Sequence, residues 1–187
     1  MPSDVDFLEA ERLSVRELGP ADLDEVMRLM GNIKAIVFPP GSWEPYGEKG
    51  LELLLDPSHA YGLGLFCDAP DGPELVGTAF LVKSDTSLHG TGQLPLTGTP
   101  EKGTAEITHV TLETDWRGEG IAAGLVDDLM RTAHGMRGIS RVYALVNPID
   151  MQSRKLFERA QFVTCCNARC EDGQEWMLYN YWFEVKD

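Results

Sequence analysis

The stretch from residue 104 to 133 changes character in its middle, and this change limits the folds open to the chain. "TAEITHVTLET" has the alternation of a β-strand, whereas the segment after it places Ile121, Leu125 and Leu129 on one helical stripe. Between them, "DWRGEGIAAGL" (residues 115–125, here called the glycine corner) carries three glycines. Glycine weakens regular structure but lets the backbone approach another group closely. Because the first amides of a helix lack partners within it, such a corner suits an anion.

The rest of the chain supplies the elements around this corner. Strands are predicted over 12–18, 60–68, 74–85, 104–114 and 141–147, and helices over 19–30, over 48–56, from Gly120, and around 153–160. The end of the chain, "FVTCCNARC", "EDGQ" and "EWMLYNYWFEV", is typical of a hairpin. Segments 38–47 and 85–103 are predicted to be loops. This order predicts one α/β domain over residues 1–187, with a mixed six- to seven-stranded sheet and about four helices.

Charge and cysteine content argue against several classes of protein. The 187 residues include 30 acidic and 16 basic ones, a net charge of −14, which disfavours nucleic acid or anionic membrane as a partner and favours a cationic one. No apolar run approaches the roughly 20 residues that span a bilayer, and the acidic N-terminus is unlike a secretory signal, so we expect a cytoplasmic protein. The spacing of Cys67, Cys165, Cys166 and Cys170 fits neither a disulfide framework nor a zinc site, so we expect no bound metal.

Three known phosphate-binding patterns compete for the glycine corner. A dinucleotide fingerprint follows the first strand of its βαβ unit, whereas this corner follows the fourth predicted strand. A P-loop needs a lysine directly after its glycines, and this corner has none. The third pattern, Arg-x-x-Gly-x-Ala, is matched by Arg117, Gly120 and Ala122.

With this pattern and the residues around it, the chain resembles the GNAT acetyltransferases. "ITHVTLETDWRGEGIAAGLV" looks like the fourth strand and pyrophosphate-binding turn of that family, with Trp116-Arg117-Gly118 at the usual Tyr-Arg-Gly. "DMQSRKLFERAQF" resembles the second family signature, Asn-x-x-Ala-x-x-Leu-Tyr-x-Lys-x-Gly-Phe. Asp150 stands at its Asn, Ser153 at its Ala and Phe157 at its Tyr. The motifs cover residues 104–163, and the order of elements extends the resemblance to a GNAT-type sheet over the whole chain.

The resemblance implies an acetyl-CoA-dependent N-acetyltransferase. Backbone amides over 117–122 would hold the diphosphate of coenzyme A, and the fourth strand would bind the pantetheine arm through its main chain. The implied contacts to coenzyme A are Val110, Thr111, Leu112, Arg117, Gly118, Glu119, Gly120, Ile121, Ala122, Asp150, Ser153 and Phe157. The Arg117 side chain either adds charge to the phosphates or bonds to the loop, and the sequence leaves both roles open. The amide of Val110 would polarise the thioester carbonyl.

Acetyl transfer to an amine also requires a base, because only the uncharged amine attacks the thioester. Glu106 lies 11 residues before Arg117, the offset that the catalytic glutamate has in histone-type members of the family. The alternative for Glu106 is a solvated carboxylate at the edge of the sheet. His109 has a nearly suitable intrinsic pKa, but strand alternation turns it to another face unless a bulge reverses this.

Phe157 departs from the family pattern in a way that affects the chemistry. Many members carry a tyrosine there, which protonates the departing thiolate, and a phenyl ring cannot do so. Ser153, Tyr179 and Tyr181 are alternative acids without positional support. A second hypothesis is therefore a non-catalytic acyl-CoA-binding sensor with the same fold.

The acceptor and the assembly state are the least specified features. The resemblance implies an amine acceptor, either a small molecule or a peptide, and the acidic chain leads us to expect a cationic one. The apolar run "WMLYNYWF" predicts a homodimer if it forms an edge strand, since such edges pair with other chains. The alternative is that this strand lies inside the sheet.

Overall fold

The computed structural model describes residues 13–37, 48–83, 103–169 and 175–183. In this part of the chain, seven strands form one sheet: β1 Leu13–Leu18, β2 Ala60–Ala69, β3 Gly72–Lys83, β4 Thr104–Leu112, β5 Arg141–Val146, β6 Val163–Arg169 and β7 Glu175–Trp182. Four α-helices accompany them: α1 Leu23–Val37, α2 Glu48–Leu54, α3 Ile121–Gly135 and α4 Met151–Arg159. The predicted α/β architecture is confirmed. The predicted loop 38–47, residues 85–102 of the second loop, the turn 171–174 and Cys170 lie outside the described residues.

The first helix differs from its predicted bounds at both ends. A short 3-10 turn, Pro20–Asp22, precedes α1, and the Asp22 carboxylate accepts the backbone N–H of Gly19 at 2.8 Å. α1 then continues to Val37, whereas the apolar stripe had indicated an end near residue 30. The sequence after α1, Phe38-Pro39-Pro40, explains the stop, because proline disfavours helical conformation in the residue before it. None of the helices described here is long and apolar enough to cross a membrane.

The strands follow the order β1-β2-β3-β4-β5-β7-β6. Among the strands described here, β4 and β5 form the only parallel pair, and the other neighbours are antiparallel. β7 is an internal strand, since Asn180 pairs with Tyr143 of β5 on one side and with Val163 of β6 on the other. Of the two alternatives for this strand, the structure supports the inner position, so β7 offers no free edge for a homodimer to pair on. Burial on two sides, and not a free edge, explains the apolar character of that strand.

Helices cover both faces of the sheet, and β3 shows how its side chains divide between them. Val76, Ala79 and Leu81 join the core beneath α3 and α4, while Phe80 and Val82 join the core beneath α1 and α2. A strand buried on both faces is expected to be apolar almost throughout, as β3 is. The two cores fix the orientation of the neighbouring strand, β4, which carries the candidate base.

Candidate active site

β4 and β5 run side by side for a short distance and then separate. Their register has only three pairs, which end with Glu106 of β4 opposite Tyr143 of β5. Beyond this point β4 continues to Leu112 and β5 to Val146 with no pairing between them in the described residues. The backbone of β4 that would face β5 is thus left to bind something else. We call this gap the strand opening.

Glu106 lies at the closed end of the strand opening and points toward α1 and α2. Its register partner in β3 is Val82, a member of the core beneath these helices, whereas the next residue, Ile107, belongs to the opposite core. The Tyr143 hydroxyl donates a hydrogen bond to Glu106 Oε2 at 3.2 Å. Glu106 keeps part of its surface accessible to solvent although protein atoms densely surround its carboxyl group.

This environment changes the acidity of Glu106 in the direction that base catalysis needs. Burial raises the pKa of the carboxyl group from 4.5 to about 7, and the hydrogen bond from Tyr143 opposes this rise. A general base is most effective when its pKa lies near the working pH. Glu106 is therefore suited to accept a proton at neutral pH, and the alternative of a solvated carboxylate at the sheet edge does not describe its surroundings.

A β-bulge interrupts β4 at His109. Thr78 of β3 pairs with Thr111 and Phe80 pairs with Thr108, so that two β4 residues, His109 and Val110, lie opposite a single β3 residue. His109 takes the left-handed φ of 50°, which is uncommon for a residue other than glycine. The simple alternation that would have turned His109 away from the Glu106 face is therefore broken.

The bulge places the His109 ring on the Glu106 face of the sheet. The ring lies edge-on to Phe80, with 6.4 Å between the ring centres, and its Nδ1 is 2.9 Å from the Thr108 hydroxyl. Burial lowers the pKa of His109 to about 4, so the imidazole is neutral at pH 7. Because a base with this pKa holds a proton weakly at neutral pH, Glu106 is the better match to the task.

The main-chain contacts predicted in β4 fall beyond the last β4–β5 pair. Val110 packs on the core beneath α3 and α4, and Leu112 is buried within it. The Thr111 hydroxyl lies 2.7 Å from that of Thr78, so its side chain is held on the β3 side. The strand opening thus begins after Glu106 and runs along these three residues to the glycine corner. Their backbone is not paired with β5, so the predicted main-chain contact with pantetheine stays a prediction.

The glycine corner has the backbone that an anion site requires. A short 3-10 turn, Thr114–Trp116, follows β4, and α3 then starts from Gly120 with no side chain capping its first amides. Gly118 and Gly120 have φ of 97° and 81°, which L side chains rarely adopt. Together with Glu119 they are exposed. Ile121 and Ala122 turn inward and pack on the core, which anchors the start of the helix.

The Arg117 side chain bonds to the backbone at this corner, so the structure favours its structural role over a phosphate contact. Its Nε donates a hydrogen bond at 2.9 Å to the carbonyl oxygen of Leu112, the last residue of β4. The bond spans the turn between strand and helix and holds the glycines in place. The sequence left two roles open for Arg117, a bond to the loop and a direct contact with phosphate. The observed hydrogen bond corresponds to the first of them.

Asp150 and Ser153 are engaged in starting α4. Asp150 Oδ1 accepts the backbone N–H groups of Gln152 and Ser153 at 3.1 and 3.0 Å, and its Oδ2 accepts the Ser153 hydroxyl at 2.7 Å. This is a helix N-cap, which explains an aspartate at the family's asparagine position, because both residues cap well. Contact of these residues with coenzyme A stays a prediction.

Phe157 lies in the core, with only 4% of its surface exposed. Its ring packs on Phe162 and Tyr179, with ring centres 5.2 and 6.1 Å away. Tyr179 is fully buried, and its hydroxyl donates to Glu158 Oε1 at 3.2 Å. Tyr181 packs against Phe162 farther along the same face of the sheet. Both tyrosines therefore belong to this core, and the structure gives no support for either as the proton donor at the strand opening.

Comparison with known proteins agrees with this arrangement. Residues 30–162 match the acetyltransferase (GNAT) family, a span of more than half of the chain. The chain belongs to the GNAT family. No curated protein matches the sequence at a significant level. The family match runs from the middle of α1 through α4, and it includes the strand opening, Glu106 and the glycine corner.

Solved GNAT structures share the fold over nearly the whole length. Arabidopsis thaliana NAA60 in complex with a bisubstrate analogue has a TM-score of 0.68 at 17% identity, covering 92% of this chain and 99% of that one. The ribosomal-protein-S5-alanine acetyltransferase from Vibrio fischeri has 0.67 at 14% identity, over 92% and 94% of the two chains. Aminoglycoside acetyltransferase AAC(6')-Ib with coenzyme A and kanamycin has 0.65 at 15% identity, over 91% and 94%. Acetyl-CoA or coenzyme A is bound in such structures, in agreement with the expected acyl donor.

One residue beside Glu106 has no signal in the sequence. Tyr143 is one apolar residue among others in "RVYALV". Its place beside Glu106 follows from the register of β4 and β5. This register cannot be derived from hydrophobic periodicity.

Proposed function

We propose that the protein is an acetyl-CoA-dependent N-acetyltransferase that acetylates a primary amine, on a small molecule or a peptide. One observation carries the proposal: a carboxyl group with a pKa of about 7 lies where β4 and β5 separate. From there the unpaired strand leads directly into the glycine corner. A base, a channel for an extended chain and an anion site thus lie along one line, as transfer from acetyl-CoA requires.

Coenzyme A would bind along this line through the backbone. The free edge of β4 offers N–H and C=O groups to the pantetheine amides in the way that a sheet edge binds an added strand. The exposed amides at Gly118 and Gly120 offer donors to the diphosphate, and the positive end of the α3 dipole adds to the attraction. Arg117 keeps this turn in shape through its bond to Leu112.

The chemical step is direct attack of the amine on the thioester. Glu106 takes the proton from the ammonium ion, and the amine nitrogen then forms a bond to the carbonyl carbon. The C–S bond breaks, so coenzyme A leaves as a thiolate and the acetyl group is on nitrogen. The backbone amide of Val110, one of the two residues in the bulge, is the proposed donor to the carbonyl oxygen. No acetyl group is attached to the protein at any stage.

Binding of acetyl-CoA, measured by isothermal titration calorimetry, tests the first half of the proposal. Gly120→Asp puts a side chain on a residue with positive φ and a negative charge beside the diphosphate, so acetyl-CoA affinity is expected to fall at least tenfold. Gly31→Asp, on the exposed face of α1, is the matched control and should bind normally. No binding by the wild type at millimolar ligand, or normal binding by Gly120→Asp, would contradict the proposal.

Buried Phe157 favours one alternative, an acyl-CoA-binding sensor without catalysis. This position carries no hydroxyl group, and the hydroxyl of the neighbouring Tyr179 is bonded to Glu158. Both hypotheses predict acetyl-CoA binding, so only turnover separates them. Release of free coenzyme A, detected as thiol across a panel of primary amines, supports the enzyme. Tight binding of acetyl-CoA, with no coenzyme A released in the presence of any amine, supports the sensor.

The charge of the chain supports two further parts of the proposal. A net charge of −14 favours a cationic acceptor, which an amine is at neutral pH. We place the protein in the cytoplasm on the basis of its composition, and acetyl-CoA would be available there. An unbiased amine screen, followed by the mass of the product, identifies the acceptor.

A further inference from the structure

We propose that Cys165 and Cys166, adjacent residues of β6, form a two-thiol site for a soft metal ion such as monovalent copper. Both side chains are exposed, and neither cysteine is in a disulfide. β6 lies at the end of the sheet and pairs only with β7 among the described strands. An ion can therefore reach both sulfur atoms from solvent, and no step of the proposed acetyl transfer involves them.

A regular strand could not build such a site. Successive side chains of a strand point to opposite faces of the sheet, so two adjacent cysteines would hold their sulfur atoms on different sides. The pairing of β6 with β7 departs from this rule at Cys165. Thr164 lies opposite Tyr179 and Cys166 lies opposite Leu178, which leaves Cys165 as an extra residue, a β-bulge.

This bulge changes the faces on which the β6 side chains lie. Tyr179 and Leu178 are adjacent in β7, so their partners Thr164 and Cys166 point to opposite faces, although residues two apart in a regular strand would share one. A bulge sets two residues of its strand against one residue of the partner. Cys165 and Cys166 can therefore both lie opposite Leu178, with their sulfur atoms on one face.

The chemistry of two thiols defines the ion that they would hold. Thiolate sulfur is a soft ligand and selects soft ions such as monovalent copper, for which two sulfur ligands suffice. Structural zinc takes four ligands, and the described residues contain no group of three or more His, Cys, Asp or Glu side chains that could hold a metal. The Cys165 thiol donates a long hydrogen bond, 3.6 Å from Sγ to the Val163 carbonyl oxygen, which an ion can replace. Each S–H bond breaks as its sulfur binds copper, and the protons go to the buffer.

Monovalent copper itself, added as its bicinchoninate complex in the absence of oxygen, is the probe. The complex loses its colour as the protein takes the ion, which gives the affinity and the stoichiometry. Cys166→Ser removes one of the two sulfur atoms, and Cys67→Ser, on β2, is the matched control. Cys170→Ser tests the remaining cysteine, which lies outside the described residues. Thr164→Cys combined with Cys165→Ser tests the bulge, because it keeps two cysteines but puts them on opposite faces.

We expect the wild type to take up a single copper ion, and Cys166→Ser to bind it at least about tenfold more weakly, since even the loss of a residue that only supports a ligand costs that much. The double variant should bind as weakly as Cys166→Ser, whereas Cys67→Ser and Cys170→Ser should equal the wild type. No uptake by the wild type, or full affinity in Cys166→Ser or in the double variant, overturns the inference, as does a loss of binding in Cys170→Ser. Circular dichroism checks that each variant keeps the fold.

Discussion

Replacing Glu106 with glutamine should separate catalysis from binding. With a pKa of about 7, about half of the molecules carry the ionised base at pH 7, and kcat/KM should fall about tenfold per unit below pH 6. Glu106→Gln should lower kcat/KM at pH 7 by about 10²- to 10⁴-fold, the usual contribution of a general base. The deficit should shrink as the pH rises, because more of the amine arrives uncharged. Acetyl-CoA affinity should be unchanged, since the carboxylate does not contact the glycine corner.

The same variant makes a prediction about stability, whose sign follows from the pKa. The folded protein holds the Glu106 proton more tightly than the unfolded chain does, because its pKa is about 7 and not 4.5. Stability from this group is therefore full below pH 4.5 and is lost as the pH rises through 7, by up to about 3 kcal/mol. Glutamine imitates the protonated form. The variant should equal the wild type near pH 4.5 and be more stable at pH 8.

Urea unfolding at pH 4.5 and 8, beside kcat/KM against pH, checks both parts. Glu17→Gln, at an exposed position of β1, is the matched control and should change neither. Nearly normal activity of Glu106→Gln at pH 7, with acetyl-CoA affinity preserved, would refute the assignment of the base. An equal stability difference at both pH values would refute the raised pKa. His109, or a relay through water, would then be the next candidate.

Three further substitutions test the surroundings of the site. Tyr143→Phe removes the hydrogen bond that lowers the pKa of Glu106, so the rising limb of kcat/KM against pH should move to higher pH; an unmoved limb would show that the bond is unimportant. Asp150→Ala removes the cap of α4 and should lower the free energy of unfolding in urea by about 1 kcal/mol. Gly118→Ala puts a side chain on a residue with positive φ, so it should lower the free energy of unfolding by about 1–2 kcal/mol and weaken acetyl-CoA binding. The control Gly124→Ala, within α3, should raise the thermal stability of the protein.

Most of the fold could be predicted because it depends on local patterns. The stripe of Leu125 and Leu129, the apolar run of β3 and the glycines after β4 each identify an element from a few neighbouring residues. The position of β7 could not be predicted in this way. An apolar strand satisfies the same pattern at an exposed edge or between two partners, and only its pairing with β5 and β6 decides between them.

The candidate site shows the same division. Glu106 and the glycine corner could be predicted because they lie on one continuous segment with a fixed spacing. The bulge at His109 could not, because it depends on how β4 registers against β3. Tyr143 is far from Glu106 in sequence and lies beside it only through strand pairing. Sequence patterns therefore pointed to the candidate base, and the register supplied the residue that lowers its pKa.

The phenyl ring at position 157 is compatible with catalysis, because the leaving group is a thiolate. A thiol has a pKa near 8.5, so its anion is stable enough at neutral pH to depart without a proton from the protein. The proton that the amine loses goes to Glu106, and solvent can supply the one that coenzyme A gains. Ser153 bonds to Asp150 and Tyr179 to Glu158, which leaves the base as the main contribution of the protein to proton transfer. It follows that kcat/KM should rise with pH to a plateau, whereas an essential protein acid would make it fall again at high pH.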